Sequence, residues 1–121
     1  MRAIYAAFAR RDVEAALEHL ADDVEFVPAG TASLVGRSAP YMGHDGVREY
    51  FADAARVWED LTLHADDLRV SVGGVVVFGR IEGTVAATGK QFETRAIWVW
   101  RVDDDKATSM RATSLGGTPP N

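Results

Sequence analysis

Arg80 and Glu82 are the charged pair of this sequence with the clearest capacity for chemistry. They stand two residues apart in VVFGRIEGT, whose alternation predicts a β-strand, so both side chains share one face. Such a pair most often forms a solvated surface. On an enclosed face, desolvation by apolar walls would raise the pKa of the carboxylate, and the adjacent guanidinium would lower it. With these opposed effects, the carboxylate could act as a general base. The guanidinium could stabilise a developing oxyanion.

The next strand carries two indoles that suit a pocket wall. If the connecting turn centres on Gly89, Arg80 faces Trp98 and Phe78 faces Trp100, all on one face. Two neighbouring tryptophans favour an enclosed face, and a guanidinium over an indole gains a cation–π contact. The opposite face would then expose a patch of β-branched residues to water. Because such a patch favours association, we predict a homodimer through that outer sheet face. This predicted patch comprises Val75, Val77, Ile81, Val85, Ile97 and Val99.

The three histidines give weaker signals. His19 lies on the polar side of a predicted helix and His64 at a helix-to-strand junction, where a structural role is expected. His44, in Gly43-His44-Asp45-Gly46, fits either a local helix cap or a position near a pocket entrance. The chain has no cysteine, and its histidines and carboxylates lack metal-ligand spacing. We therefore expect no metal and no cofactor.

Three helices are predicted to precede the strands. Apolar residues recur at helical spacing over Ile4–Phe8 and again over Val13–Leu20, with Asp12 placed to cap the second helix. A third, longer helix is predicted because its apolar residues are spaced alternately four and three residues apart, which places them on one face. That face comprises Val47, Phe51, Ala54, Trp58 and Leu61.

Strand signals dominate the rest. A short strand is predicted over Val24–Pro28, followed by a Gly- and Pro-rich loop over Ala29–Gly43. After Leu63 the apolar period changes to two, and turn signals at Gly73-Gly74, Gly89 and Asp103–Lys106 predict a four-stranded meander. Its strands are Leu68–Val72, Val75–Ala86, Phe92–Val102 and Ala107–Leu115, and the tail Gly116–Asn121 is expected to fray.

Composition limits the class of protein. With 121 residues, 47% of them hydrophobic, residues 1–121 suit one globular domain. The net charge of −5, with basic residues scattered among acidic ones, argues against nucleic acid as a partner. No apolar run is long enough to cross a bilayer, so no membrane partner and a cytoplasmic location are expected.

Three stretches resemble one family in order and spacing. ALEHLADDVEFV, YMGHDGVREYFADAARVW and AIWVWRVDDDKATSMRATS are similar to the SnoaL-like branch of the nuclear transport factor 2 (NTF2)-like superfamily. The resemblance implies an α+β, cone-shaped domain, with three N-terminal helices packed on a curved antiparallel β-sheet that encloses a pocket. Members are frequently dimeric and include isomerases, hydrolases, cyclases, dehydratases and binding proteins, so the fold does not settle the function.

The resemblance also implies a site. VVFGRIEGT is similar to the strand of limonene-type epoxide hydrolases that carries an inward Arg and Asp, which would place Arg80 and Glu82 in the cavity as the catalytic pair. The second acid of those enzymes corresponds to Ala112, and their water-binding Tyr and Asn to Phe26 and Pro28. The catalytic positions of ketosteroid isomerases correspond to Ile4, Pro28 and Trp98. The expected ligand-binding residues are Phe26, Tyr41, His44, Trp58, Phe78, Trp98, Trp100 and Met110.

Two functions follow from this interpretation. The first is a cofactor-independent enzyme that acts as cyclase, isomerase, dehydratase or hydrolase on a small hydrophobic oxygenated molecule, with Glu82 as acid/base and Arg80 as its electrostatic partner. The second is a non-catalytic ligand-binding or dimeric assembly domain in which the two residues form only an ion pair. The face on which Arg80 and Glu82 lie separates the two.

Overall fold

The structure, a computed structural model, describes residues 2–115 without the side chains of residues 32, 33 and 115. Its helices are α1 (Arg2–Ala9), α2 (Val13–Leu17), α3 (Thr31–Leu34) and α4 (Gly43–Val57). Its strands are β1 (Leu20–Val27), β2 (Tyr41–Met42), β3 (Trp58–Ser71), β4 (Gly74–Val85), β5 (Gln91–Asp103) and β6 (Lys106–Leu115). The predicted frayed tail, residues 116–121, lies outside the described residues.

The strands form one six-stranded sheet in the order β2-β1-β6-β5-β4-β3. The predicted meander of β3 to β6 is confirmed, and each of its pairings is antiparallel. The sheet is nevertheless mixed, because β1 runs parallel to β6. Helices cover one side, here called the inner face, where Tyr5 of α1 packs on Trp98 and Trp100. The other side is the outer face.

The helix boundaries follow local chemistry. Asp12 caps α2 as predicted, its Oδ1 accepting from the backbone N–H of Ala15 at 3.1 Å. The predicted third helix is α4, but it ends at Val57 instead of continuing to Leu61. Trp58 pairs with Val85 and starts β3, whose pairing with β4 continues to Ser71. The short α3 lies within the predicted loop.

The register of β4 against β5 differs from the prediction. Val77 pairs with Trp98 and Arg80 with Arg95, whereas Arg80 was expected opposite Trp98. The connecting loop, residues 86–90, lies earlier in the chain than a turn centred on Gly89: that residue lies near its end with φ of 69°, and its N–H donates to the Val85 carbonyl at 2.8 Å. The register is shifted by an odd number of residues. Side chains of β4 that were predicted to share a face with particular side chains of β5 therefore lie on the opposite face from them.

The exchange relocates the predicted outer patch. Val77, Ile81 and Val85 are buried on the inner face beneath the helices, whereas Ile97 and Val99 lie on the outer face. The β-branched patch predicted as a dimer surface is therefore not one surface. The pairing of β4 with β5 has no register irregularity, so the error concerns only which residues of these two strands share a face.

The inner face and the helices enclose an aromatic core. The Trp58 ring packs over Gly83, where an added Cβ would come within 2.7 Å of the ring, and lies 6.0 Å from the Phe92 ring. Gly83 thus admits the indole because it has no side chain. Within residues 2–115, no helix is long and apolar enough to span a membrane.

Candidate functional site

The free space beneath the helices is an inner cavity between α1, α4 and β3. Its volume is about 40 Å³, and four aromatic rings contribute most of its wall. The lining residues are Tyr5, Phe8, Ala9, Arg11, Tyr50, Phe51, Ala54, Leu61 and Leu63. Among them Arg11 is the only charged side chain, so apolar contact and a few hydrogen bonds dominate what the cavity offers a ligand.

Tyr5 is the ring that separates the predicted tryptophan wall from the cavity. Its ring packs edge-on against Trp98 at 5.5 Å and against Trp100 at 6.1 Å, and its hydroxyl accepts from Trp100 Nε1 at 3.1 Å. Burial raises the pKa of Tyr5 above its ordinary value, an effect the hydrogen bond from Trp100 opposes. Tyr5 therefore stays neutral, and a phenol that accepts one bond still carries its own O–H donor.

Tyr50 supplies the second phenol. Burial raises its pKa to about 12, although a hydrogen bond with Thr31 and the charge of Arg11 act in the opposite direction. The Thr31 hydroxyl, itself buried, also accepts from Trp58 Nε1 at 2.9 Å. These bonds fix Tyr50 on α4 relative to α3 and the start of β3, so its oxygen is held in a defined position.

Arg11 lies at the corner between α1 and α2 with φ of 57°. The Arg11 N–H donates to the Phe8 carbonyl at 3.0 Å and the Asp12 N–H to the Ala7 carbonyl at 2.9 Å, the paired bonds of a Schellman helix end. Sequence reasoning did not select this residue. The sequence did offer one signal for Arg11: it is a basic residue that stands between the end of one amphipathic helix and the capping residue of the next.

Most of the expected ligand-binding residues belong to the core instead of the cavity wall. The structure brings five of them to the interior, each at most 3% exposed: Phe26, Trp58, Trp98, Trp100 and Met110. Phe26, for example, packs against Tyr50 at 4.9 Å and Phe8 at 6.0 Å. The aromatic convergence is thus present, but the rings fill the space between the sheet and the cavity.

Three other expected residues lie elsewhere. Phe78 is on the outer face and 39% exposed, so its predicted place in the pocket is wrong, because of the register. Tyr41 is fully buried, and its hydroxyl donates to Asp53 Oδ2 at 2.8 Å. His44, at the start of α4, donates from Nε2 to the Leu20 carbonyl at 2.9 Å, tying the helix to β1. Neither residue lines the inner cavity.

Arg80 and Glu82 lie on the outer face, in a charged cluster with His64 and Asp66. Arg80 donates from Nε to Asp66 at 3.2 Å and from NH1 to Glu82 at 3.3 Å. His64 Nε2 lies 3.0 Å from Glu82 Oε1, although it has no hydrogen bond of good geometry within the described residues. The predicted arrangement of this pair beside Trp98 is therefore wrong, because side chains on the two faces of a sheet cannot meet.

The remaining surface features are open. A depression of about 320 Å³ on the outer side includes Glu82 and Glu93, and a cavity of about 240 Å³ beside the start of α1 includes Ile4, His19 and Asp105. In the described part of the chain, no group of three His, Asp or Glu side chains could hold a metal ion.

Comparisons with known proteins agree on the family. The chain is similar to an NTF2-like protein of unknown function from Burkholderia pseudomallei K96243, with 26% identity over 94% of this chain and 86% of that one, and a TM-score of 0.84. It is similar to TerC, co-crystallised with polyporic acid, with 30% identity over 94% and 87% of the two chains and a TM-score of 0.82.

A candidate polyketide cyclase from Xanthomonas campestris pv. campestris shares 17% identity over 92% of this chain and 84% of that one, with a TM-score of 0.77, a likeness of fold alone. No curated protein shows significant sequence similarity to the chain. The family model of the SnoaL-like domain matches residues 1–110. The chain therefore belongs to the SnoaL-like domain family and has the NTF2-like fold.

Proposed function

We propose that this protein binds a small, flat, largely apolar molecule that carries oxygen atoms, and that it does so in the inner cavity. The observation that supports this best is the composition of the wall: four aromatic rings, two of which are neutral phenols, and one cation. Rings of this kind select flat apolar ligands, and a few polar groups orient them. The proposal corresponds to the binding function expected from the sequence as the alternative to catalysis.

The size of the cavity adds a condition. Its volume of about 40 Å³ is far below the roughly 300 Å³ of small ligand sites, so a ring system must displace part of the wall. Phe8 is only partly buried and lies on α1, which has eight residues. We expect α1 to move outward on binding, with Phe8 opening the entrance.

The similarity to TerC supports the ligand class. TerC was co-crystallised with polyporic acid, which is by its name an organic acid. At 30% identity over nearly the whole chain, a related ligand is a reasonable choice for this protein. Neutral phenols such as Tyr5 and Tyr50 can donate to a carbonyl or stabilise a developing oxyanion, which limits any turnover here to reactions that hydrogen-bond donors promote.

Binding of 2-naphthol, measured by thermal shift and by tryptophan fluorescence, tests the proposal. Ala54 lines the cavity, so Ala54→Leu should fill it and weaken binding at least about tenfold. Ala55 is the next residue of α4 and is exposed, so Ala55→Leu makes the same change outside the cavity and should bind like wild type. Equal binding by the two variants, or none by the wild-type protein, would reject the inner cavity as the site.

A second candidate function is acid/base chemistry at Glu82 and Arg80, now on the outer face. It is favoured by the place of Glu82 in the outer depression and by the 3.0 Å contact with His64. The probe is 5-nitrobenzisoxazole, whose ring opens when a base removes its proton. Glu82→Gln should abolish any rate above buffer, whereas Glu93→Gln, in the same depression, should not. Identical rates for both variants would exclude Glu82 as the base.

We also propose a homodimer through the outer face, with a patch redefined by the observed register. Phe78 is 39% and Val99 43% exposed, and Val76 and Ile97 lie beside them. The same face carries carboxylates near Glu82 and arginines on β5 and β6, which a two-fold axis could bring together across the interface. Phe78→Glu should give monomers in sedimentation, whereas Val72→Glu, at the exposed β3–β4 hairpin tip, should not. A monomeric wild-type protein at micromolar concentration would refute the dimer.

A further inference from the structure

Arg11 occupies a backbone position that favours a different residue. The left-handed residue after a helix is most often glycine, because a Cβ is strained at positive φ. Arg11 has φ of 57° at that position, with the paired Schellman hydrogen bonds around it. Helix termination alone therefore does not explain an arginine here.

The side chain of Arg11 also lacks the partner that most arginines of this chain have. Arg10, its neighbour, lies 3.8 Å from Asp12, and arginines on α4 and β4 pair with carboxylates at 3.0 to 3.3 Å. Within residues 2–115, Arg11 forms no ion pair. Arg11 is exposed overall, but it is one of the residues that line the inner cavity, and its charge acts on the buried hydroxyl of Tyr50.

We propose that Arg11 is the specificity-determining residue of the inner cavity, and that it selects ligands whose rings carry an ionised acidic oxygen, such as a carboxylate, an enolate or a phenolate. This proposal rests on the proposed function. The rings of the ligand enter between Phe8 and Phe51, and the anionic oxygen stays at the entrance, where the guanidinium can donate two parallel hydrogen bonds.

The rest of the wall fits this orientation. Among the residues that the structure describes, no carboxylate lines the cavity to compete for Arg11 or repel an anion, and Leu61 and Leu63 form part of its apolar wall. Tyr50 is neutral and lies within range of the charge of Arg11, so it can donate to a second oxygen of the same ligand. The site would thus distinguish an acid from the amide of equal shape.

The test compares 2-naphthoate with 2-naphthamide by calorimetry and thermal shift at two salt concentrations. Wild-type protein should bind the anion more tightly, and Arg11→Gln should weaken naphthoate binding by roughly 10- to 50-fold while changing naphthamide binding less than about twofold. Arg10→Gln, which removes the adjacent paired cation, should leave both unchanged.

Arg11→Gly adds a readout that a structural role would not give. Glycine relieves the positive φ, so the melting temperature should rise while naphthoate binding falls. Equal binding of the two probes by wild-type protein, or equal loss in the Arg10 and Arg11 variants, would overturn the role of Arg11 and leave the proposed function intact. If neither probe binds wild-type protein while 2-naphthol does, the role of Arg11 is rejected and the proposed function stands; if 2-naphthol does not bind either, the inner cavity is rejected as a site and both proposals fail.

Discussion

The two faces of the sheet have opposite chemistry although they are built from the same strands. Along β4, Val77 and Ile81 are buried on the inner face, whereas Phe78, Arg80 and Glu82 alternate with them on the outer face. The inner face packs rings whose few polar atoms are hydrogen-bonded. The outer face pairs charges that remain close to half exposed, with 44% and 42% for Arg80 and Glu82.

This difference shows why a carboxylate and desolvation do not meet in one place. A carboxylate becomes an efficient acid or base when apolar surroundings and a nearby charge act on it together. The described lining of the inner cavity provides apolar surroundings, two neutral phenols and the cation Arg11 but no carboxylate, and the outer face provides the carboxylate in water-exposed surroundings. The geometry therefore favours ligand binding inside over acid/base chemistry at the pair that the sequence singles out.

Truncating one aromatic ring on each face should give the largest contrast. Trp100→Ala removes a buried ring and its bond to Tyr5, so it should lower the free energy of unfolding by about 3 to 5 kcal/mol. Phe78→Ala on the outer face should lower it by less than about 1 kcal/mol in dilute, monomeric samples. Urea unfolding measures both. Similar losses for the two variants would show that the faces do not differ as described.

Removing one inner hydroxyl should have the next largest effect. Thr31→Val keeps the shape but leaves Trp58 Nε1 without its acceptor and breaks the bond with Tyr50, so we expect a loss of about 1 to 3 kcal/mol. Thr31→Ser keeps the hydroxyl and should retain most of the stability. If valine is tolerated as well as serine in urea unfolding, the inner polar atoms are satisfied in another way.

Alkaline pH should weaken the inner face selectively. The pKa of Tyr50 is about 12 in the folded protein, above the ordinary value of 10.0, so the unfolded chain loses its proton first. This contribution, roughly 2 to 3 kcal/mol, is fully present below pH 10 and is lost as the pH rises to 12. The pKa values of Tyr5 and Tyr41 are raised in the same direction.

Unfolding in urea between about pH 8 and pH 12, with near-ultraviolet absorbance of phenolate, measures this loss. Tyr50→Phe removes the ionising group and should show a flatter decline than wild type. An unchanged slope in that variant would indicate that Tyr50 does not carry the effect.

The smallest effect is expected from the outer ion pairs. Glu82→Gln leaves Arg80 with Asp66 as a partner, and partly exposed pairs of this kind contribute little because water and salt screen them. In dilute, monomeric samples its urea midpoint should be indistinguishable from that of wild type at moderate salt. A loss as large as that of Thr31→Val would mean that the cluster is shielded, for example by a second subunit.

Local patterns in the sequence predicted most of the fold. The apolar periods placed the helices and the meander, Asp12 acted as the expected cap, and the SnoaL-like family followed from three motifs. These features depend on neighbours in sequence, where propensity and hydrogen bonding decide. The end of α4 was missed because Trp58 satisfies both the helical spacing and the first position of β3.

The site was harder to predict because it depends on register. Strand pairing is decided by how a loop closes, and placing Gly89 at the centre of the turn instead of near its end moved Arg80 and Phe78 to the tryptophan face. Arg11 had no motif of its own. The role proposed for Arg11 depends on two structural observations together: its positive φ at the corner between α1 and α2, and its place in the lining of the inner cavity.

The parallel pairing of β1 with β6 has a consequence for how the chain folds. Leu20 pairs with Ala107 and Phe26 with Met110. The hydrogen bonds between β1, near the start of the chain, and β6, the last strand, therefore cannot form until β6 is available. The meander can assemble from local hairpins, but this closure carries the entropy of a loop that spans most of the chain. We expect the docking of β1, and of the helices that follow and precede it, to limit the folding rate, and during synthesis it must wait until Lys106–Leu115 has left the ribosome.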